Sequence, residues 1–86
     1  MELLKNSEYC LILDHDCESS NKSVGICKRF NLNFTIIYKK DLSIEELHIM
    51  TPSNHKGVVV IYQDGEYLGN YWDLLEYCKD NIYIGI

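Results

Sequence analysis

The sequence predicts an α/β fold: a three-layer domain with a four-stranded mixed sheet, in the order β-α-β-α-β-β-α. Three observations carry this. Tyr9-Cys10-Leu11-Ile12-Leu13 is a short unbroken apolar run, as a strand covered on both faces requires. A helical periodicity and a second β-branched run follow it, the pattern of a parallel crossover unit. Further on, Asp64-Gly65 joins two more apolar runs, and Asp-Gly supplies the positive φ of a tight antiparallel hairpin. A parallel pair and a hairpin in one sheet make it mixed.

The elements follow in order. The first strand ends at the polar stretch Asp14-His15-Asp16. Over residues 18–30, Val24, Cys27 and Phe30 recur every third position, an amphipathic helix with Ser19 and Ser20 placed to cap it. Asn31 stands where a left-handed residue ends a helix. Asn33-Phe34-Thr35-Ile36-Ile37-Tyr38, bounded by Lys39-Lys40-Asp41, is the second strand. Ser43-Ile44-Glu45-Glu46 forms a capping box, so a short helix begins there, and it ends before Thr51-Pro52. Residues 57–62 and 66–68 are the hairpin strands. Asn70 caps a last helix over residues 71–79, with Asp73 in its first turn to favour the dipole. An alternating apolar tail over 81–86 remains as an edge strand or a cover for the sheet.

Composition bounds the function. Eighty-six residues hold one domain, over 1–86, and 47% hydrophobic against 24% charged residues is a globular balance. No apolar run approaches the ~20 residues that cross a bilayer, and Met1-Glu2-Leu3-Leu4-Lys5-Asn6 lacks the order of a signal peptide. The expectation is a soluble, cytoplasmic chain with no membrane partner. With a net charge of −5, and basic residues scattered apart from Lys28-Arg29 and Lys39-Lys40, the surface is a poor match for a phosphate backbone, so no nucleic acid is expected.

The four cysteines carry the chemistry. Their spacings of 7, 10 and 51 residues contain no Cys-x-x-Cys pair, which argues against a closed zinc site, and His15, His48 and His55 fall in different elements without ligand spacing. Cys10 lies in a buried strand, and Cys27 and Cys78 lie on the apolar faces of helices, where free cysteine packs as a small hydrophobe. Cys17 differs. It sits between the first strand and the first helix, at the end of the sheet where ligands gather in α/β folds. The helix dipole and free backbone N–H groups stabilise a thiolate there, while Asp14, Asp16 and Glu18 oppose it and a charged His15 offsets them. Tyr62, Tyr67, Tyr71, Trp72, Tyr77 and Tyr83 crowd the last third of the chain, as core or, at Tyr71 and Trp72, as an exposed recognition patch.

Cys17-Glu18-Ser19-Ser20 at a helix start, and Asp64-Gly65-Glu66-Tyr67-Leu68-Gly69-Asn70-Tyr71-Trp72-Asp73-Leu74 around the hairpin, resemble the glutaredoxin branch of the thioredoxin fold. The resemblance spans residues 9–79. It implies a single nucleophile, Cys17, acting on mixed disulfides, with Ser20 steadying the sulfur in place of the family's resolving cysteine. Val58, Gly69, Asn70, Trp72 and Asp73 fall at substrate-binding positions, protein thiols or disulfides are the implied partners, and glutathione is the implied small thiol. Several positions depart from the family. Val58 replaces a cis-proline, and because a non-proline cis bond costs about 3 kcal/mol, Gly57–Val58 is expected to be trans. Trp72 replaces a small or acidic residue, and Asp14-His15-Asp16 stands where a basic residue is usual, which weighs against glutathione. Glu18-Ser19 replaces the Gly-Phe pair expected of a cluster-bridging relative, so no iron–sulfur cluster is expected. These departures favour a second reading, a module that has lost the chemistry and holds a protein partner through Trp72 and the acidic loop.

Overall fold

The unbroken apolar run is an inner strand of the sheet. The computed structural model describes residues 8–15 and 17–81. Its elements are β1 (Glu8–Leu13), α1 (Glu18–Arg29), β2 (Asn33–Tyr38), a 3-10 turn (Lys39–Asp41), α2 (Ile44–Met50), β3 (Val60–Gln63), β4 (Glu66–Gly69) and α3 (Tyr71–Asn81). The strands lie in the order β2-β1-β3-β4. β1 runs parallel to β2, with Glu8 opposite Asn33 and Leu13 opposite Tyr38, and antiparallel to β3, with Ile12 opposite Val60. The sheet is therefore mixed, as expected. A strand flanked on both edges and covered on both faces must be apolar throughout, and Leu11 and Ile12 are fully buried.

On one face Tyr9, Leu11 and Leu13 pack with Ile26 and Cys27 of α1, Leu74 and Cys78 of α3, and Val59 and Ile61. The alternate residues Cys10, Ile12, Val60 and Tyr62 point to the opposite face. There the Tyr62 hydroxyl donates to the Met50 carbonyl at the end of α2, at 2.9 Å. This makes the third layer, yet α2 buries none of its residues. Cys10, expected in the core, is only half-buried because it belongs to that thinner face.

Local signals act where they stand. Glu46 N–H donates to Ser43 Oγ and Ser43 N–H to Glu46 Oε1, the expected capping box. Asn31 adopts φ 56°, and the Asp64-Gly65 turn has φ 51° and 84°. Asp64 also binds the start of β1: its carboxylate accepts from Glu8 N–H at 2.8 Å and its own N–H donates to the Glu8 carbonyl at 2.7 Å.

Four expectations need correction. The residue capping α1 is Cys17, with no side-chain cap, rather than Ser19 or Ser20. The buried face of α1 is Ser20, Ser23, Ile26 and Cys27, while Val24 and Phe30 are half-buried at its margin. Small serines let the helix approach the sheet closely, and the Ser23 hydroxyl is satisfied by donating to the Ser19 carbonyl at 2.8 Å. Third, β3 begins at Val60 instead of residue 57, because Gly57 holds φ 99° and turns the chain before it can pair. α3 extends to Asn81, past the expected end at residue 79. Asp16, the first seven residues and the tail over 82–86 lie outside the described residues. Among the described residues no helix is long and apolar enough to cross a membrane.

Candidate active site at the start of helix α1

Cys17 is the N-cap of α1, in extended conformation with φ −102° and ψ 136°. Its carbonyl accepts the first helical hydrogen bond, from Asn21 N–H at 3.0 Å, and its thiol is left half-buried at the helix mouth. An N-cap side chain faces the unpaired N–H groups of the first turn. The Ser20 N–H lowers the Cys17 pKa most, helped by the Ser19 N–H and the Ser20 hydroxyl, against opposition from partial burial and from Asp14. The net shift is downward. The contest left open between helix terminus and acidic loop thus goes to the helix terminus among the described groups.

Two of the three opposing acids are engaged elsewhere. Asp14 lies 3.8 Å from Lys39 Nζ, and Glu18 lies 3.6 Å from Lys22 Nζ. His15 stacks flat on Tyr38, with ring centroids 4.6 Å apart and planes 8° apart. Ser20 is 3% exposed, and its Oγ accepts from Asp14 N–H at 3.2 Å, which ties the end of β1 to the first turn of α1. Its hydroxyl therefore holds the loop around Cys17 while also favouring the thiolate.

The other cysteines have the opposite chemistry. Burial pushes Cys27 up to about 12 and Cys78 up to about 11, and it raises Cys10 as well. Of the four, Cys17 alone is shifted toward the thiolate.

At the first turn of α1 lies a groove of about 60 Å³, bounded by Ser19, Gly57, Val58, Asn70, Tyr71 and Trp72. It brings Val58, Asn70 and Trp72 together. Val58 is 38% and Trp72 66% exposed, and Tyr71 meets Trp72 edge to face at 5.0 Å. Trp72 is thus surface and not core. Asn70 and Asp73 form a reciprocal cap on α3: Asn70 N–H donates to Asp73 Oδ2 at 2.9 Å and Asp73 N–H to Asn70 Oδ1 at 3.1 Å. The Asn70 amide also donates to the Lys56 carbonyl at 2.8 Å. That bond fixes the loop bearing Gly57 and Val58 against the start of α3, and no spacing rule in the sequence signals it. Gly69, at φ 139°, lies behind Asp73, and a Cβ there would overlap the Asp73 carboxylate. Asn70, Asp73 and Gly69 build the wall that Val58 and Trp72 present. No peptide bond among the described residues is cis, Gly57–Val58 included. Among those residues no group of three His, Cys, Asp or Glu side chains is placed to hold a metal ion.

No protein-family model and no curated protein matches the chain. Solved structures do. The chain superposes on oxidised glutaredoxin of Escherichia coli with a TM-score of 0.72 at 13% identity, over 88% of this chain and 98% of that one. Glutaredoxin 1 of Francisella tularensis, complexed with cacodylate, gives 0.66 at 13% identity over 91% and 98%. The dithiolic glutaredoxin 2-C-Grx1 of Trypanosoma brucei brucei gives 0.71 at 20% identity over 98% and 90%. The chain has a glutaredoxin-like fold. Identities this low establish the architecture, and the residues that carry activity have to be judged from the site itself.

Proposed function

We propose that this glutaredoxin-like chain exchanges thiols and disulfides through one nucleophile, Cys17. The observation that carries the reading is the contrast among its cysteines: Cys17 is at a helix N-terminus with its pKa lowered by Ser20 and Ser19, and the others are raised by burial. The Cys17 thiolate attacks one sulfur of a mixed disulfide, the S–S bond breaks, and the partner leaves as a thiolate. A second thiol then attacks the new bond, takes over the bound group as a disulfide and returns Cys17 as thiolate. One disulfide and one thiol are consumed and one of each is formed. Ser20 occupies the position of a resolving cysteine, so release depends on that external thiol. Protein disulfides are the proposed substrates, met by the Val58–Trp72 groove. The external thiol is a small thiol; Asp14 and Glu18 beside Cys17 disfavour the anionic glutathione in that role.

One observation favours a second reading. Trp72, 66% exposed beside the groove, is the kind of aromatic anchor that holds a protein partner without chemistry. Iodoacetamide alkylation of Cys17 across pH, with disulfide-exchange turnover and a Cys17→Ser control, separates the two. A thiol titrating at or above ~8.5 with no Cys17-dependent turnover overturns the redox reading. A partner retained equally by wild type and Cys17→Ser supports the binding module.

A further inference from the structure

A second cavity lies apart from the groove at the start of α1. It measures about 540 Å³, in the usual range for small-molecule sites, and shares no residue with that groove. It opens between the 3-10 turn after β2, the second half of α2 and the segment leading to β3. Its polar lining is made of hydrogen-bond donors: Lys39, His48, Thr51, Ser53 and His55, with Leu47 supplying an apolar patch. Among the described residues no carboxylate lines it, in a chain of net charge −5.

Two of its lining residues carry polar atoms that no group among the described residues satisfies. Thr51 Oγ1 and His55 Nε2 are both buried and unpartnered. Neither atom has accessible surface as it stands, so each reaches the cavity only when its side chain turns; leaving them unpaired costs free energy that a bound acceptor would recover. The partner's sign follows from the cation in the lining, Lys39. The His55 ring is held through Nδ1 against the Tyr67 hydroxyl. The Lys39 ammonium also pairs with Asp14, at 3.8 Å. Hydroxyl, imidazole and ammonium donors around one space match the acceptor-only oxygens of an anion.

We propose that this cavity binds a small organic oxyanion, a carboxylate or phosphate carried on a compact apolar body. The head group meets Lys39, and Thr51 and His55 after turns of their side chains, and the body lies against Leu47. The site is independent of the redox reading, since it uses neither Cys17 nor the groove.

The test titrates the whole chain with benzoate, phenyl phosphate and uncharged benzyl alcohol at constant ionic strength, followed by NMR at the His48 and His55 imidazoles and the Thr51 amide. Saturable shifts with either anion and none with the alcohol support the proposal, and the anion that binds more tightly identifies the head group. Lys39→Gln should weaken binding about tenfold, the loss of one charge-assisted hydrogen bond. Thr51→Val should weaken it severalfold, and Cys17→Ser should leave it unchanged. Absence of saturable shifts with both anions overturns the proposal, as does binding that neither Lys39→Gln nor Thr51→Val weakens.

Discussion

Cys17 and Cys27 share one helix and differ in everything that makes a thiol reactive. Cys17 caps the N-terminus of α1, half-buried, with the N–H groups of Ser19 and Ser20 lowering its pKa. Cys27, in the third turn, faces the sheet with no exposure, beside Cys78 of α3, and burial pushes it up to about 12. The helix is the same, but its terminus offers unpaired donors and its flank offers only apolar neighbours. Reactivity is therefore a property of position along the helix rather than of residue type.

The strongest way to break this comparison is selective alkylation. In the native protein at neutral pH, iodoacetamide should modify Cys17 more than about a hundredfold faster than Cys27 or Cys78, which open only through unfolding. Mass spectrometry of the digested protein reads this directly, and Cys17→Ser should remove the fast phase. Equal rates would erase the distinction.

Alkaline pH tests the other half. The native thiols of Cys27 and Cys78 ionise at about 12 and about 11, whereas in the unfolded chain they do so near ~8.5. The native state therefore holds its protons longer, and stability present below ~8.5 is lost as pH rises toward those native values. Urea unfolding at pH 10 should show a loss of up to about 2 kcal/mol from each thiol relative to pH 7, and Cys27→Ala should flatten the slope.

A smaller effect concerns the wall of the groove at the first turn of α1. Gly69→Ala forces a side chain into the Asp73 carboxylate at φ 139°, and should cost about 2 kcal/mol in urea unfolding while leaving fast Cys17 labelling in place. The smallest change sharpens the site itself. Asp14 opposes the Cys17 thiolate, so Asp14→Asn should move the alkylation profile of Cys17 to lower pH. A shift to higher pH would mean that the ion pair of Asp14 with Lys39 matters more than its direct opposition to the thiolate.

Much of the fold was readable because its signals are local. A capping box needs Ser43 and Glu46 only, a tight turn needs Asp64 and Gly65, and Asn31 tolerates the left-handed conformation by itself. The central strand was readable because burial on both faces leaves no room for alternation. Burial on α1 was misjudged, since the spacing of Val24, Cys27 and Phe30 hides the two small serines that face the sheet. The site was half readable. The place of Cys17 at a helix start follows from the order of elements, but the exposure of Trp72 and the bond from Asn70 to Lys56, fourteen residues apart, do not.

The sequence by itself determined the elements, their order, and the one cysteine at a helix terminus, because each rests on interactions spanning a few residues. Only the tertiary structure decided which groups surround that cysteine. It engaged Asp14 with Lys39, turned Ser20 onto the β1 end, and buried Cys27 and Cys78 while leaving Cys10 on the thinner face. It also gathered Lys39, His48, Thr51 and His55, spread over seventeen positions and three segments, around one cavity. Electrostatics and burial act through space, and neighbours in space are set by packing, which no local spacing encodes.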